Sequence, residues 1–154
     1  MGKKTRVYSL FSTVVLLACV HGAQAQEVRY TTHIQPLFQE KCAVCHDNEA
    51  APEYQAFKGE KEMWLAKGKG MRMNTYSHLI FYTAWPDTGA LMRRLDDGNN
   101  TRDGKPGNMH RYLGTTDEER QRNLALFKAW VGTWTLDRWP EITKEEMDGI
   151  SVRY

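Results

Sequence analysis

The pentapeptide Cys42-Ala43-Val44-Cys45-His46 constrains this 154-residue chain more than any other stretch. Two cysteines two residues apart, with a histidine directly after the second, have the spacing that attaches a c-type haem covalently. In a helical turn, this spacing brings Cys42 and Cys45 to one side, where each thiol can add to a vinyl group of the porphyrin. His46 is then placed to offer a neutral imidazole to the iron as proximal ligand. A Cys-x-x-Cys pair can also be half a zinc site or a thioredoxin-like dithiol. No second Cys-x-x-Cys or Cys-His pair completes a tetrahedral set, and no strand-helix-strand pattern surrounds this one, so the haem reading is preferred.

Residues 1–25 have the organisation of a secretory signal. Lys3, Lys4 and Arg6 form a positive start, Val7 to Val20 an apolar run, and Ala23-Gln24-Ala25 a small-residue cleavage site. The apolar run is short for a membrane span. Export to the periplasm, or otherwise out of the cytoplasm, suits covalent haem attachment, a step bacteria complete there. Leu16-Leu17-Ala18-Cys19 also matches a lipoprotein cleavage box, which would leave a lipidated Cys19 and a membrane anchor. Cleavage after Ala25 is the preferred expectation, with Cys19 as a small apolar residue of the run.

Removing residues 1–25 takes three of the 21 Lys and Arg and no acid, leaving 18 basic against 19 acidic side chains. That near-balance gives no reason to expect nucleic acid as a partner. The remaining 129 residues suit one domain with a modest core, which a haem would enlarge. With Cys42 and Cys45 committed to thioethers, the mature chain has no pair left for a disulfide.

Hydrophobic spacing predicts a mostly helical chain. Glu27 to Glu40 carries Ile34, Leu37 and Phe38 at helical intervals, with Pro36 early and Thr31 or Thr32 as caps. His33 reads as an exposed helix-start residue rather than an iron ligand. Asp47 to Gly70 reads as a loop with one short helix around 61–67. The Pro52 segment is the expected source of a carbonyl for the second nitrogen of His46. Helices follow over 75–83, ended before Pro86, and over 88–95, with Tyr76, Leu79, Ile80, Phe81, Tyr82 and Trp85 as core candidates. Arg93 and Arg94 are candidates to pair a haem propionate bidentately, and equally to be a solvated face.

Asp96 to Asn108 is a loop dense in Asp, Gly and Asn that delivers Met109. Thr116-Asp117-Glu118-Glu119 then forms a capping box. The helix it opens carries Leu124, Phe127, Trp130 and Val131 on one stripe and stops at Gly132. Residues 133–154 are expected to be a tail packed down by Trp134 and Trp139, with a short last helix after the second box, Thr143 to Glu146.

A haem with one histidine needs either a second ligand, for electron transfer, or an open site, for reactivity. Met63, Met71, Met73, Met92, Met109, Met147, His33, His78 and His110 are the candidates. Met109 is preferred because its Gly-rich loop can bring sulfur to iron. His110 and His78 are alternatives, an open site is a third, and Met71 and Met73 read as loop or core edge.

Ile34-Gln35-Pro36-Leu37-Phe38, Lys41-Cys42-x-x-Cys45-His46, Leu91-Met92-Arg93-Arg94-Leu95, Thr116-Asp117-Glu118-Glu119 and Phe127-Lys128-Ala129-Trp130-Val131-Gly132 together resemble class I cytochrome c. The likeness is to the variant seen in bacterial and planctomycete-type domains and covers roughly 28–132. It implies an all-α, cytochrome c-like domain with long loops around one haem c, held by Cys42 and Cys45. It also implies His46 as proximal ligand, Met109 as distal ligand, and packing of Phe38 against Trp130. The chain departs from the pattern at His110, where proline is common, in its long 46–109 interval, and in its tail. The domain plan is thus signal 1–25, cytochrome domain 26–132 and extension 133–154.

The function expected is an exported electron carrier with no substrate pocket, which docks transiently on periplasmic redox proteins. Two alternatives stand beside it: a haem enzyme or gas binder with an open distal site, and an electron-input subunit of a larger periplasmic oxidoreductase.

Overall fold

The computed structural model describes Gly2 and residues 27–154 apart from Asn48 and Ala50. The expected signal, its cleavage site and Cys19 lie outside the described residues. The described residues are helical, with no strand and a single isolated bridge between Gly132 and Ile150. None of their helices is long and apolar enough to cross a membrane.

A π turn over Tyr30–Ile34 runs directly into α1, Gln35–Lys41, which tolerates Pro36 because its first turn needs no N–H there. The expected Thr31 or Thr32 cap is not formed. Arg29 holds the cap position without a side-chain cap bond, and its N–H donates instead to His33 Nδ1 at 3.2 Å. The wider π turn brings that imidazole back over the helix start. α2, Ala43–His46, follows almost without a break.

Within the stretch expected to be mostly loop, α3 spans Tyr54–Gly59 and α4 spans Lys61–Ala66. α3 forms because buried Phe57 anchors it and Tyr54 packs tilted against Phe81 and edge-on against Tyr82, with ring centroids 5.1 and 5.9 Å away. α5, Tyr76–Thr83, starts at Thr75, whose hydroxyl accepts from His78 N–H. It buries Leu79 and Tyr82. Trp85 is an exception among the expected core residues: it is 58% exposed and meets exposed Trp139 edge-to-face. α6, Ala90–Leu95, begins two residues later than its spacing suggests, after Gly89 in the left-handed region.

α7, Asp117–Val131, carries the expected stripe, with Leu124, Phe127, Trp130 and Val131 all buried. Its capping is displaced from the simple box. Thr116 accepts from Glu119 N–H, but the Glu119 carboxylate turns to Thr115 N–H at 2.7 Å and to Lys41 Nζ at 2.5 Å. The last residue of α1 is thereby tied to the first turn of α7. The reciprocal box forms instead at Thr143 and Glu146, opening α8, Lys144–Asp148. The expected Phe38–Trp130 contact is replaced at ring level by Tyr30 against Trp130, at 6.3 Å, while Phe38 is buried in the same cluster.

The tail closes the domain. Tyr30 N–H and Trp130 Nε1 both donate to Arg153 O at 2.8 Å, and Tyr76 Oη donates to Val152 O at 2.8 Å. Tyr154 stacks on Tyr30, which ties the last residue to the first turn. Trp134 Nε1 donates to buried Asp96 at 2.9 Å. That carboxylate also accepts from Gly98 N–H and from the Asn100 backbone and side chain. Burial alone would push Asp96 up, but these four donors outweigh it and hold the carboxyl below its usual range.

The stability this lowering contributes is present above the unfolded carboxyl value of about 3.9 and is lost as pH falls through the lower folded value. Trp134→Phe removes one donor. It should cost about 1–3 kcal/mol at neutral pH and, by raising the folded value, start acid unfolding at higher pH. Far-ultraviolet circular dichroism during an acid titration checks this; an unchanged midpoint would contradict it.

Candidate haem site

The cysteines and the histidine share one turn. Cys42 N–H donates to Phe38 O at 2.8 Å, and Cys45 and His46 N–H both donate to Cys42 O at 3.2 and 3.1 Å. α1 therefore hands its direction to the motif, and its tie to α7 through Lys41 and Glu119 fixes that direction.

The second nitrogen of His46 is held from a place the sequence reading did not name. His46 Nδ1 donates to Met71 O at 2.6 Å. The Pro52 carbonyl, expected in this role, accepts instead from Arg72 N–H at 2.8 Å, one residue further along. Pro52 thus steadies the strap that carries the acceptor. The strap is pinned on both sides, by Gly70 N–H to Cys45 O at 3.3 Å and Met73 N–H to His46 O at 2.9 Å. Gly70 lies flat against the imidazole: a Cβ there would stand 2.8 Å from Nδ1 and closer to Cε1. Met71 and Met73 pack at the core edge, as expected. Burial pulls His46 below the usual histidine range, partly offset by the Met71 bond, so the ring is the neutral base a metal ligand requires.

Met109 is delivered by the loop that Asp96 organises. Gly107 N–H donates to Asp96 O at 2.8 Å and Met109 N–H to Arg94 O at 3.0 Å. Gly107 passes so close to the end of α6 that a Cβ would sit 2.5 Å from the Arg94 carbonyl carbon. Met109 itself packs against the core cluster. A 3₁₀ turn over His110–Leu113 follows. His110 lines a hollow with Asp97, Asn108, Asp117, Arg120 and Gln121, and its buried Nε2 has no partner among the described residues. His78, on α5, points Nε2 toward Glu53 Oε2 at 3.4 Å.

The two arginines are engaged by the protein. Arg93 donates to Thr88 O, Leu136 O and Asp137 O at 3.0, 2.8 and 3.3 Å, and its other amino group lies 3.4 Å from Asp87. It clasps the start of the tail. Arg94 is exposed and donates to Asn108 Oδ1 at 3.1 Å.

Two thiols and a neutral imidazole on one turn, with a side-chain-free surface behind the ring, fit a covalently held haem. A family model described as PccH Cytochrome c matches residues 29–154, so the match runs through the tail. The solved structure of monoheme cytochrome PccH from Geobacter sulfurreducens is 70% identical. The match covers 83% of this chain and 99% of that one, with a TM-score of 0.78. Among curated proteins none matches the chain. The chain therefore belongs to the PccH cytochrome c family, helical electron-carrying cytochromes with one covalently bound haem c.

Proposed function

We propose that the chain is an exported, single-electron carrier rather than an enzyme, with Cys42 and Cys45 as thioether sites, His46 as proximal ligand and Met109 as distal ligand. When bound, the haem supplies a one-electron iron couple. The residues around it act by holding still. Met71 fixes the His46 tautomer and ring direction, and the strap from Gly70 to Met73 prevents the ring from rotating. Asp96 fixes the loop that brings a soft, neutral thioether opposite an imidazole.

The observation that carries this reading is the packing of Met109. Met109 packs against the same core cluster as Cys42, while His110 lines the hollow beside α7, which favours sulfur over imidazole as the distal donor. A filled distal position leaves no vacant coordination site for a substrate, which favours a carrier over a catalyst. The ordinary partners of such a carrier are redox proteins of the exported compartment, met through weak and transient contacts. Membrane attachment would come only through a lipidated Cys19.

Carbon monoxide tests the carrier reading against the enzyme or gas-binding one. The ferrous wild type should bind it slowly or not at all, whereas ferrous Met109→Ala should bind it rapidly. Rapid binding by the wild type, without denaturant, would contradict a filled distal site.

A further inference from the structure

Arg72 grips three consecutive residues of the loop that follows the haem motif. Its N–H donates to Pro52 O at 2.8 Å, its Nε and Nη2 both donate to Ala51 O at 3.4 Å, and its Nη1 donates to Glu53 Oε1 at 2.7 Å. The other oxygen of Glu53 lies 3.4 Å from His78 Nε2 on α5. Arg72 and Glu53 together therefore fasten the strap, residues 51–53 and α5 to one another. A planar guanidinium with five donors suits this work, because it can meet a peptide carbonyl and a carboxylate at once.

The part of the strap held most firmly is the peptide unit between Met71 and Arg72. That unit is trans, so its carbonyl and its N–H point in opposite directions. The carbonyl accepts from His46 Nδ1 at 2.6 Å, and the N–H donates to Pro52 O at 2.8 Å. His46, this one peptide and Pro52 form a continuous hydrogen-bonded line, and each bond of such a line polarises the next. The pull of Pro52 O on the N–H leaves more negative charge on Met71 O, which then holds the His46 proton more strongly. A histidine whose second N–H is held by a strong acceptor is a more basic ligand. Greater basicity favours the oxidised iron and lowers its reduction potential.

We propose that Arg72 is a positioning residue that sets the potential of the carrier, by locking Pro52 O behind the carbonyl that accepts from His46. This deepens the electron-carrier reading and rests on it. Two effects of the side chain oppose each other. A guanidinium charge disfavours the oxidised, more positive iron and raises the potential, whereas the hydrogen-bonded line lowers it. Glu53 offsets the charge at 2.7 Å, and both side chains reach water, 27% and 58% exposed, which screens what remains. The bond from His46 to Met71 is short and part-buried, so the positional effect is the larger.

The test is a spectroelectrochemical titration of holoprotein variants. Arg72→Gln removes both the fork and the charge. Arg72→Lys keeps the charge and loses the planar fork. Both should raise the potential by an amount equal to about a tenfold change in the ratio of reduced to oxidised protein, which is about 59 mV for one electron. In both, the hyperfine-shifted Nδ1–H proton signal of His46 should exchange with deuterium faster than in the wild type. Arg122→Gln, an equal loss of charge at an exposed position of α7, should leave both readings unchanged. A lowered potential in Arg72→Gln would show that only the charge matters, and this overturns the proposal. An unchanged potential in either Arg72 variant, or an equal shift in the control, overturns it too. Should Arg72→Gln not accumulate as holoprotein, Arg72→Lys carries the test by itself. A wild type without a reversible one-electron wave sinks the carrier reading and the proposal with it, whereas a normal wave with unshifted variants sinks the proposal alone.

Discussion

Replacing Cys42 and Cys45 together by alanine should leave the chain with no covalently bound haem. After denaturation and acid-acetone extraction, all haem should separate from the variant polypeptide, whereas the wild type keeps one per chain. The geometry behind this expectation is the single turn that both thiols share, with Cys45 N–H on Cys42 O at 3.2 Å. Only these two cysteines lie in the described residues, and both are unpaired thiols there. Burial, reinforced by nearby Cys45, pushes the Cys42 thiol up to about 12. An unattached Cys42 would therefore sit in the folded chain as a protonated, unreactive thiol. Either single alanine variant should keep haem on the chain through one thioether, with a displaced pyridine haemochrome band. Retention of covalent haem by the double variant would contradict the assignment.

Gly70→Ala should disturb the iron without touching any proposed ligand. The added methyl would stand 2.8 Å from His46 Nδ1, well inside ordinary contact, so the ring or the strap must shift. Either movement strains the 2.6 Å bond from Nδ1 to Met71 O, and with it the ring orientation. A loss of about 1–3 kcal/mol is expected from the overpacking. A changed low-spin ferric electron paramagnetic resonance spectrum should accompany it, because the imidazole plane sets the rhombic field at iron. Gly59→Ala is the control: a Cβ there meets nothing within 4 Å. Identical spectra for the two variants would show that Gly70 does not position His46.

What the sequence makes legible follows from what side chains declare about themselves. The motif at 42–46 declares its chemistry by residue type and spacing, and α7 declares itself by a 3.6-residue stripe and a threonine cap. The carbonyl on His46 Nδ1 does not, because every residue has a backbone carbonyl and Met71 is 25 residues away. Arg93 is hidden for a related reason: a guanidinium suited to a propionate is equally suited to three peptide carbonyls, and the fold supplies those of the tail. The tail's purpose also lies in long-range pairs. Trp134 reaches Asp96 across 38 positions, and Tyr154 stacks on Tyr30 across the whole domain. Local periodicity cannot see either pair. The Asp and Gly content of 96–108 marks it as a loop, but not that one buried carboxylate with four donors holds the loop in place.

The central claim is that a thioether from Met109 stands opposite His46 and makes the chain a carrier. Near-infrared magnetic circular dichroism of the oxidised holoprotein reads that ligand directly, through the sulfur-to-iron charge-transfer band. The account predicts the band in the wild type and its loss in Met109→Ala, with His110→Ala unchanged. Absence of the band from the wild type, or its survival in Met109→Ala, would contradict the account.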